Sequence, residues 1–198
     1  MTNRLLLASK SATRRSVLEG AGVPFEAVGS GVDEEAAKAV LLTRRATPRQ
    51  VAEALAEDKA LAVSVGRSEL VVGADQTLEF QGKLYDKAET VADARERLKT
   101  LRGRPHMLHS AVVVAQGGAV VWRETKSATL TMRTFSDAFL EEYLTAEGGA
   151  ALGSVGCYRL EGPGVQLFSK IDGDYFTILG LPLMGLLDIL RARGVLSS

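Results

Sequence analysis

Cysteine is almost missing from this chain. Cys157 stands alone among 198 residues, so no intramolecular disulfide can form and a reducing compartment is expected. No base lies near it in sequence to support a nucleophilic role, and its neighbours Gly156 and Tyr158 read as a packed strand. An excess of charge is missing too: 24 Lys and Arg balance 24 Asp and Glu, for a formal net charge of zero. A nucleic-acid binder working through phosphate contacts would carry a basic excess. No nucleic-acid partner is therefore expected, and any anion site must be local. No apolar run is long enough to span a bilayer, and the four-residue run after Arg4 is too short for a signal peptide. The expectation is no membrane partner and a cytoplasmic location. The Walker A and GxGxxG phosphate loops are absent, and neither Ser16 nor Ser110 sits in a nucleophile elbow.

What is present is enough apolar sequence, 46% of residues, for a substantial core in a single domain over residues 1–198. Strand-like and helix-like patterns alternate. Short apolar runs at 5–8 and 25–28 read as strands, and residues 70–74 ("LVVGA") read as a buried strand that Asp75 ends. Residues 106–116 and 119–132 are β-rich and joined by Gly117-Gly118, a hairpin signal. Helical spacing marks 50–63, 89–101, 136–147 and a leucine face after Pro182, while 43–50 reads as a loop and "CYRLEG" as a strand. This pattern predicts an α/β fold: a mixed twisted sheet with flanking helices, in two lobes around a central cleft.

Several residues could carry chemistry. "LLLASKSATRRSVLEGAG" places two serines, a threonine and two arginines at a strand-to-helix turn. Free backbone N–H groups, hydroxyls and guanidinium forks there favour anions, although a serine cap followed by solvated arginines explains the same stretch. Asp75, at the end of an apolar strand, can bind a hard metal or take a proton from water, or simply start a turn. Asp33-Glu34-Glu35 is either an acidic helix start or, with Asp75, a set of oxygen ligands for Mg²⁺ or Mn²⁺. Lys59 has acidic neighbours and reads as an ion-pair residue; Lys87 has no local structural explanation. His106 and His109, an odd number apart in a β-run, fall on opposite faces and make no metal pair.

Taken in order, these pieces resemble the Maf family of nucleoside triphosphate pyrophosphatases. "LASKSATRRSVL" is similar to the family's LAS-x-S-x-x-R-x-x-LL start, "VDE" to its Asp-Glu motif and "LAEDKA" to its Leu-Ala-x-x-Lys-Ala helix. "VVGADQTLEFQGKLYDKA", "GSVGCYRLEGPGVQLF" and "IDGDYFTILGLPL" resemble its later segments. The resemblance implies hydrolysis of a modified or non-canonical nucleoside triphosphate to monophosphate and pyrophosphate, with divalent Mg²⁺ or Mn²⁺ as cofactor and a homodimer as the assembly. It implies that Ser9, Arg14, Lys59 and Lys87 hold the triphosphate, that Glu34 and Asp75 bind the metal, and that Asp75 activates water. Arg15 matches a position that is often basic. Thr13, Gln76 and Glu161 match positions that differ between branches; Gln76 and Glu161 resemble the branch acting on 7-methyl-GTP, and Thr13 matches neither. Ala12 and Ala88 stand where the family usually has proline, and "HSAV" at 109–112 replaces a Thr-Gly-Val pattern. A nucleotide-binding regulator of cell division without turnover is the alternative reading.

Overall fold

The computed structural model describes residues 4–197. Three strands run parallel at one side of a mixed sheet: β1 (Leu5–Ala8) between β2 (Glu26–Val28) and β3 (Leu70–Phe80). β4 (Lys83–Tyr85) folds back on β3, and β5 (Pro105–Gln116), β6 (Ala119–Met132) and β7 (Phe168–Asp172) continue the sheet antiparallel. The order is β2-β1-β3-β5-β6-β7. β1 is buried along its whole length, which is why it reads as an unbroken apolar run.

β3 departs from its sequence reading. It runs for 11 residues, so Asp75 lies in mid-strand rather than at a strand end or in a turn. Antiparallel pairing with β5 from Val71 to Glu79 draws the polar Asp75-Gln76-Thr77 into the ladder. On its other edge β3 pairs with β1 only through Gly73 and with β4 only from Leu78 onward. Residues 74–77 thus have no strand beside them on that edge, next to the point where the chain leaves β1. The chain leaves β1 toward β2 and leaves β3 into β4, so the gap between β1 and β4 on this edge of β3 stays open as a crevice.

The helices follow their caps. α1 (Ala12–Gly20) is capped by Ser11, whose hydroxyl accepts from the Arg14 backbone N–H. It starts earlier than residue 16, so Thr13, Arg14 and Arg15 lie in its first turn. α2 (Glu34–Thr43), capped by Asp33, buries no residue. α3 (Pro48–Ser64) opens on a capping box of Thr47 and Gln50 with Pro48 inside its first turn; the loop expected over 43–50 ends three residues sooner, at Thr47, for that reason. α4 (Val91–Leu101) has a Thr90/Asp93 capping box, and α5 (Asp137–Glu147) is capped by Ser136. The short α6 (Tyr175–Ile178) and α7 (Leu183–Ala192) complete the set. "CYRLEG" is not a strand; Cys157 is buried at φ 60° in an irregular segment.

Alanines 52, 56 and 60 of α3 pack on Ala111, Val113 and Ala115 of β5. Gly73 completes this close fit, because a Cβ there would lie 2.5 Å from Ala60 N and closer still to Ala56 O. The opposite face of β1 and β3 packs against α1 and α7 through Leu5, Leu7, Val72, Leu183, Leu186 and Leu190. A second large cluster joins Leu78 and Leu108 to Leu98, Leu101, Leu140 and Leu167. Among the described residues, no helix is long and apolar enough to cross a membrane.

Candidate active site

A cavity of about 900 Å³ opens at the uncovered edge of β3. Ser9, Thr13 and Arg14 enter it from the β1–α1 turn, Glu34 from α2, Lys59 from α3, Asp75 and Gln76 from β3, and Lys87 from the segment after β4. Glu161 reaches it from the irregular stretch before the 3₁₀ turn Pro163–Leu167. Nine of the ten residues named from the sequence therefore line one cavity. Arg15 does not: it is exposed and absent from the lining. Thr13 and Arg14 share the face of α1 toward the cavity, and Arg15, about 100° further round the helix from Arg14 and about 200° from Thr13, points away from it.

The centre of the cluster is a buried ammonium between two carboxylates. Lys59 Nζ donates to Asp75 Oδ1 at 2.7 Å and lies 2.9 Å from Glu34 Oε2. Lys59 is 4% and Asp75 8% exposed, a degree of burial that charged groups tolerate only when paired. The pairing follows from the packing. Gly73, Asp75 and Thr77 share one face of β3 by strand alternation. Ala56 and Ala60 bring α3 against Gly73, and Lys59 of the same helix then meets Asp75. Thr77 donates to Pro48 O at 2.8 Å and ties down the start of that helix.

Arg14 and Lys87 add positive charge. Arg14 Nε donates to Gly180 O at 2.8 Å, and its Nη1 donates to Ser9 Oγ at 3.4 Å. Burial pulls the Arg14 guanidinium below its ordinary pKa, and the charges of Asp75 and Glu34 offset part of that pull. Lys87 is also lowered, first by desolvation and next by the positive charge of Arg14. Ser9 Oγ accepts the Ser11 backbone N–H at 3.2 Å, so this hydroxyl shapes the turn as well as facing the cavity.

Gln76 lies on the opposite face of β3, where its Nε2 meets Ser110 Oγ at 2.9 Å, Thr177 O at 3.1 Å and Ile178 O at 3.0 Å. Its amide nitrogen is engaged by Ser110 of β5 and by the last carbonyls of α6 rather than held out to a ligand. Glu161 is exposed and makes no hydrogen bond among the described residues. Sequence reasoning missed Lys10, Lys38, Tyr158 and Arg159, which also line the cavity. Arg159 has a signal only in hindsight, since its partner Glu147 lies 12 positions away. His106 and His109 do fall on opposite faces: the first bonds Tyr158 and the second Ser127 and Glu79.

The divalent metal implied by the resemblance meets two carboxylates here. Among the described residues, no three His, Cys, Asp or Glu side chains converge as ligands. Glu34 and Asp75 therefore suit a hard cation that is bound through one or two carboxylates and completed by phosphate oxygens and water, as Mg²⁺ is. A closed site of protein ligands alone does not fit.

Fold and site define an α/β protein whose open sheet edge presents alternating cations and carboxylates to a cavity large enough for a small molecule. The chain belongs to the family described as Maf-like protein, whose model matches residues 4–193. It is 60% identical over 191 residues to a nucleoside triphosphate pyrophosphatase of Caulobacter vibrioides, covering 96% of each chain. A protein of the same name from Granulibacter bethesdensis is 47% identical over 195 residues, 98% of this chain and 99% of that one. A 7-methyl-GTP pyrophosphatase of Brucella abortus is 46% identical over 192 residues, 96% of each.

Proposed function

We propose that the protein hydrolyses a nucleoside triphosphate to the monophosphate and pyrophosphate. The observation that carries this reading is the buried Asp75–Lys59 pair, with Glu34 beside it on the solvent side and Arg14 and Lys87 flanking it in one cavity. Three cations and two carboxylates leave the cluster one positive charge, suited to a polyanion that brings its own counter-ion. Arg14, Ser9, Lys59 and Lys87 bind the phosphates. Asp75 takes a proton from water as its oxygen attacks the α-phosphorus, the bond to the bridging oxygen breaks, and pyrophosphate leaves against Lys59 and Lys87. When bound at Glu34 and Asp75, a divalent metal supplies further neutralisation of the phosphate oxygens. The relatives carry the names of hydrolases, which favours turnover over binding alone.

For the base, 7-methyl-GTP is the preferred substrate in this reading. Glu161 offers a carboxylate that only accepts hydrogen bonds, and guanine presents N1–H and N2–H donors on one edge. Uracil and thymine would turn acceptor oxygens toward it. Product chromatography and kcat/KM on 7-methyl-GTP, UTP and dTTP with Mg²⁺ or Mn²⁺ test both parts. Monophosphate plus pyrophosphate and a preference for 7-methyl-GTP, narrowed by Glu161→Gln, are expected. A nucleoside diphosphate as main product would sink the reaction assignment, and a pyrimidine as best substrate would sink the base assignment.

A further inference from the structure

Lys87 stands on residues 86–90, a stretch without helix or strand between β4 and α4. Arg14 and Lys59 repel the Lys87 ammonium, Glu34 and Asp75 attract it, and burial opposes its charge. Arg97 of α4 is placed to hold this segment from outside the cavity. Its Nη1 donates to Asp86 O at 2.7 Å and to Val155 O at 2.7 Å, and its guanidinium lies 4.8 Å from the centre of the Tyr85 ring. One cation thereby bridges two cavity walls, the Lys87 segment and the stretch that leads through Val155 to Glu161. Arg97 itself does not line the cavity.

We propose that Arg97 is a positioning residue for Lys87, acting through the Asp86 carbonyl and setting the separation of the two walls. One lesser tie acts with it: Lys38 of α2 donates to the Asp86 carboxylate at 2.5 Å, and it does not span both walls. The side chain needs the guanidinium for this task, because only a donor with two hydrogens on one nitrogen and a flat face can serve two carbonyls and a ring together.

The proposal rests on the pyrophosphatase reading, and a double-mutant cycle tests it. Arg97→Met is expected to lower kcat/KM by roughly 10- to 100-fold, the scale for a reacting group displaced by about 1 Å, with Arg97→Lys recovering part of the loss. In a Lys87→Ala background the same substitution should cost less than about 3-fold, since the group it positions is gone. Pyrophosphate binding measured by calorimetry should follow the same pattern without any need for turnover. Circular dichroism and the thermal midpoint check the fold; if the methionine variant does not fold, the Arg97→Lys pair completes the cycle. Equal losses in both backgrounds, or no loss in either, overturn the proposal. A wild-type protein that turns over no nucleotide fails the functional reading instead, and the pyrophosphate arm still decides the role of Arg97.

Discussion

Asp75 and Lys59 illustrate what burial demands of single residues. Two charges removed from water persist because the ammonium is shared: Glu34, with its side chain 47% exposed, supplies a second oxygen from the solvent side. Replacing Asp75 with Asn keeps the shape and leaves Lys59 one carboxylate, so the fold should survive. Turnover should fall by about 10²- to 10⁴-fold, the usual contribution of a general base. Steady-state kinetics beside circular dichroism check this, and activity within tenfold of wild type would return Asp75 to the role of a structural ion-pair partner. Gln76 carries the complementary lesson. It matches the family branch acting on 7-methyl-GTP and lines the cavity, while its amide nitrogen is directed at Ser110 and the end of α6.

At the scale of elements, β3 and α3 build the site together. A strand with polar residues in its middle survives because β5 pairs the whole segment, and the same polar residues face the gap between β1 and β4. Gly73 sets the distance of α3. An alanine there would press on helix backbone, which yields less readily than a side chain, and overpacking of this kind costs about 1–3 kcal/mol or somewhat more. Gly73→Ala is therefore expected to lower both the urea midpoint and kcat/KM, the second because Lys59 moves with α3. Gly20→Ala serves as control, having nothing within 4 Å of its added carbon; it should be neutral or slightly stabilising. Loss of stability with full activity would show that α3 can shift without disturbing the Lys59–Asp75 pair.

For the whole molecule, pH acts through a buried histidine in the larger core. His106 is 2% exposed, its Nε2 lies 2.7 Å from Tyr158 Oη, and its Nδ1 has no partner among the described residues. Desolvation pushes its pKa down from 6.5 to about 4. The unfolded chain therefore binds a proton that the folded one refuses between those values, and stability falls as pH drops through that window. The shift corresponds to about 3 kcal/mol at pH 4. His106→Gln keeps a hydrogen-bonding group beside Tyr158 but does not titrate, so its unfolding free energy should fall by about 3 kcal/mol less between pH 7 and pH 4. Urea unfolding at both values measures this, and equal pH dependence in the two proteins would show that His106 is protonated without cost.

Local signals determined much of this protein. Caps at Ser11, Asp33, Thr47, Thr90 and Ser136, the Gly117-Gly118 turn and the apolar runs mark elements because each depends on neighbours a few residues away. The motif order also picked out residues that the fold brings together: Ser9, Arg14, Glu34, Lys59, Asp75 and Lys87 line one cavity. Direction and partnership were decided only in three dimensions. Whether β3 stops at Ala74 or runs to Phe80 depends on β5, more than 30 positions later; whether Lys59 is solvated or buried depends on a glycine that admits its helix. Arg97 shows the same limit, since nothing in its own helix announces two carbonyls on separate loops. Backbone propensity and spacing act within a few residues, whereas burial, charge pairing and side-chain direction are set by packing between distant segments.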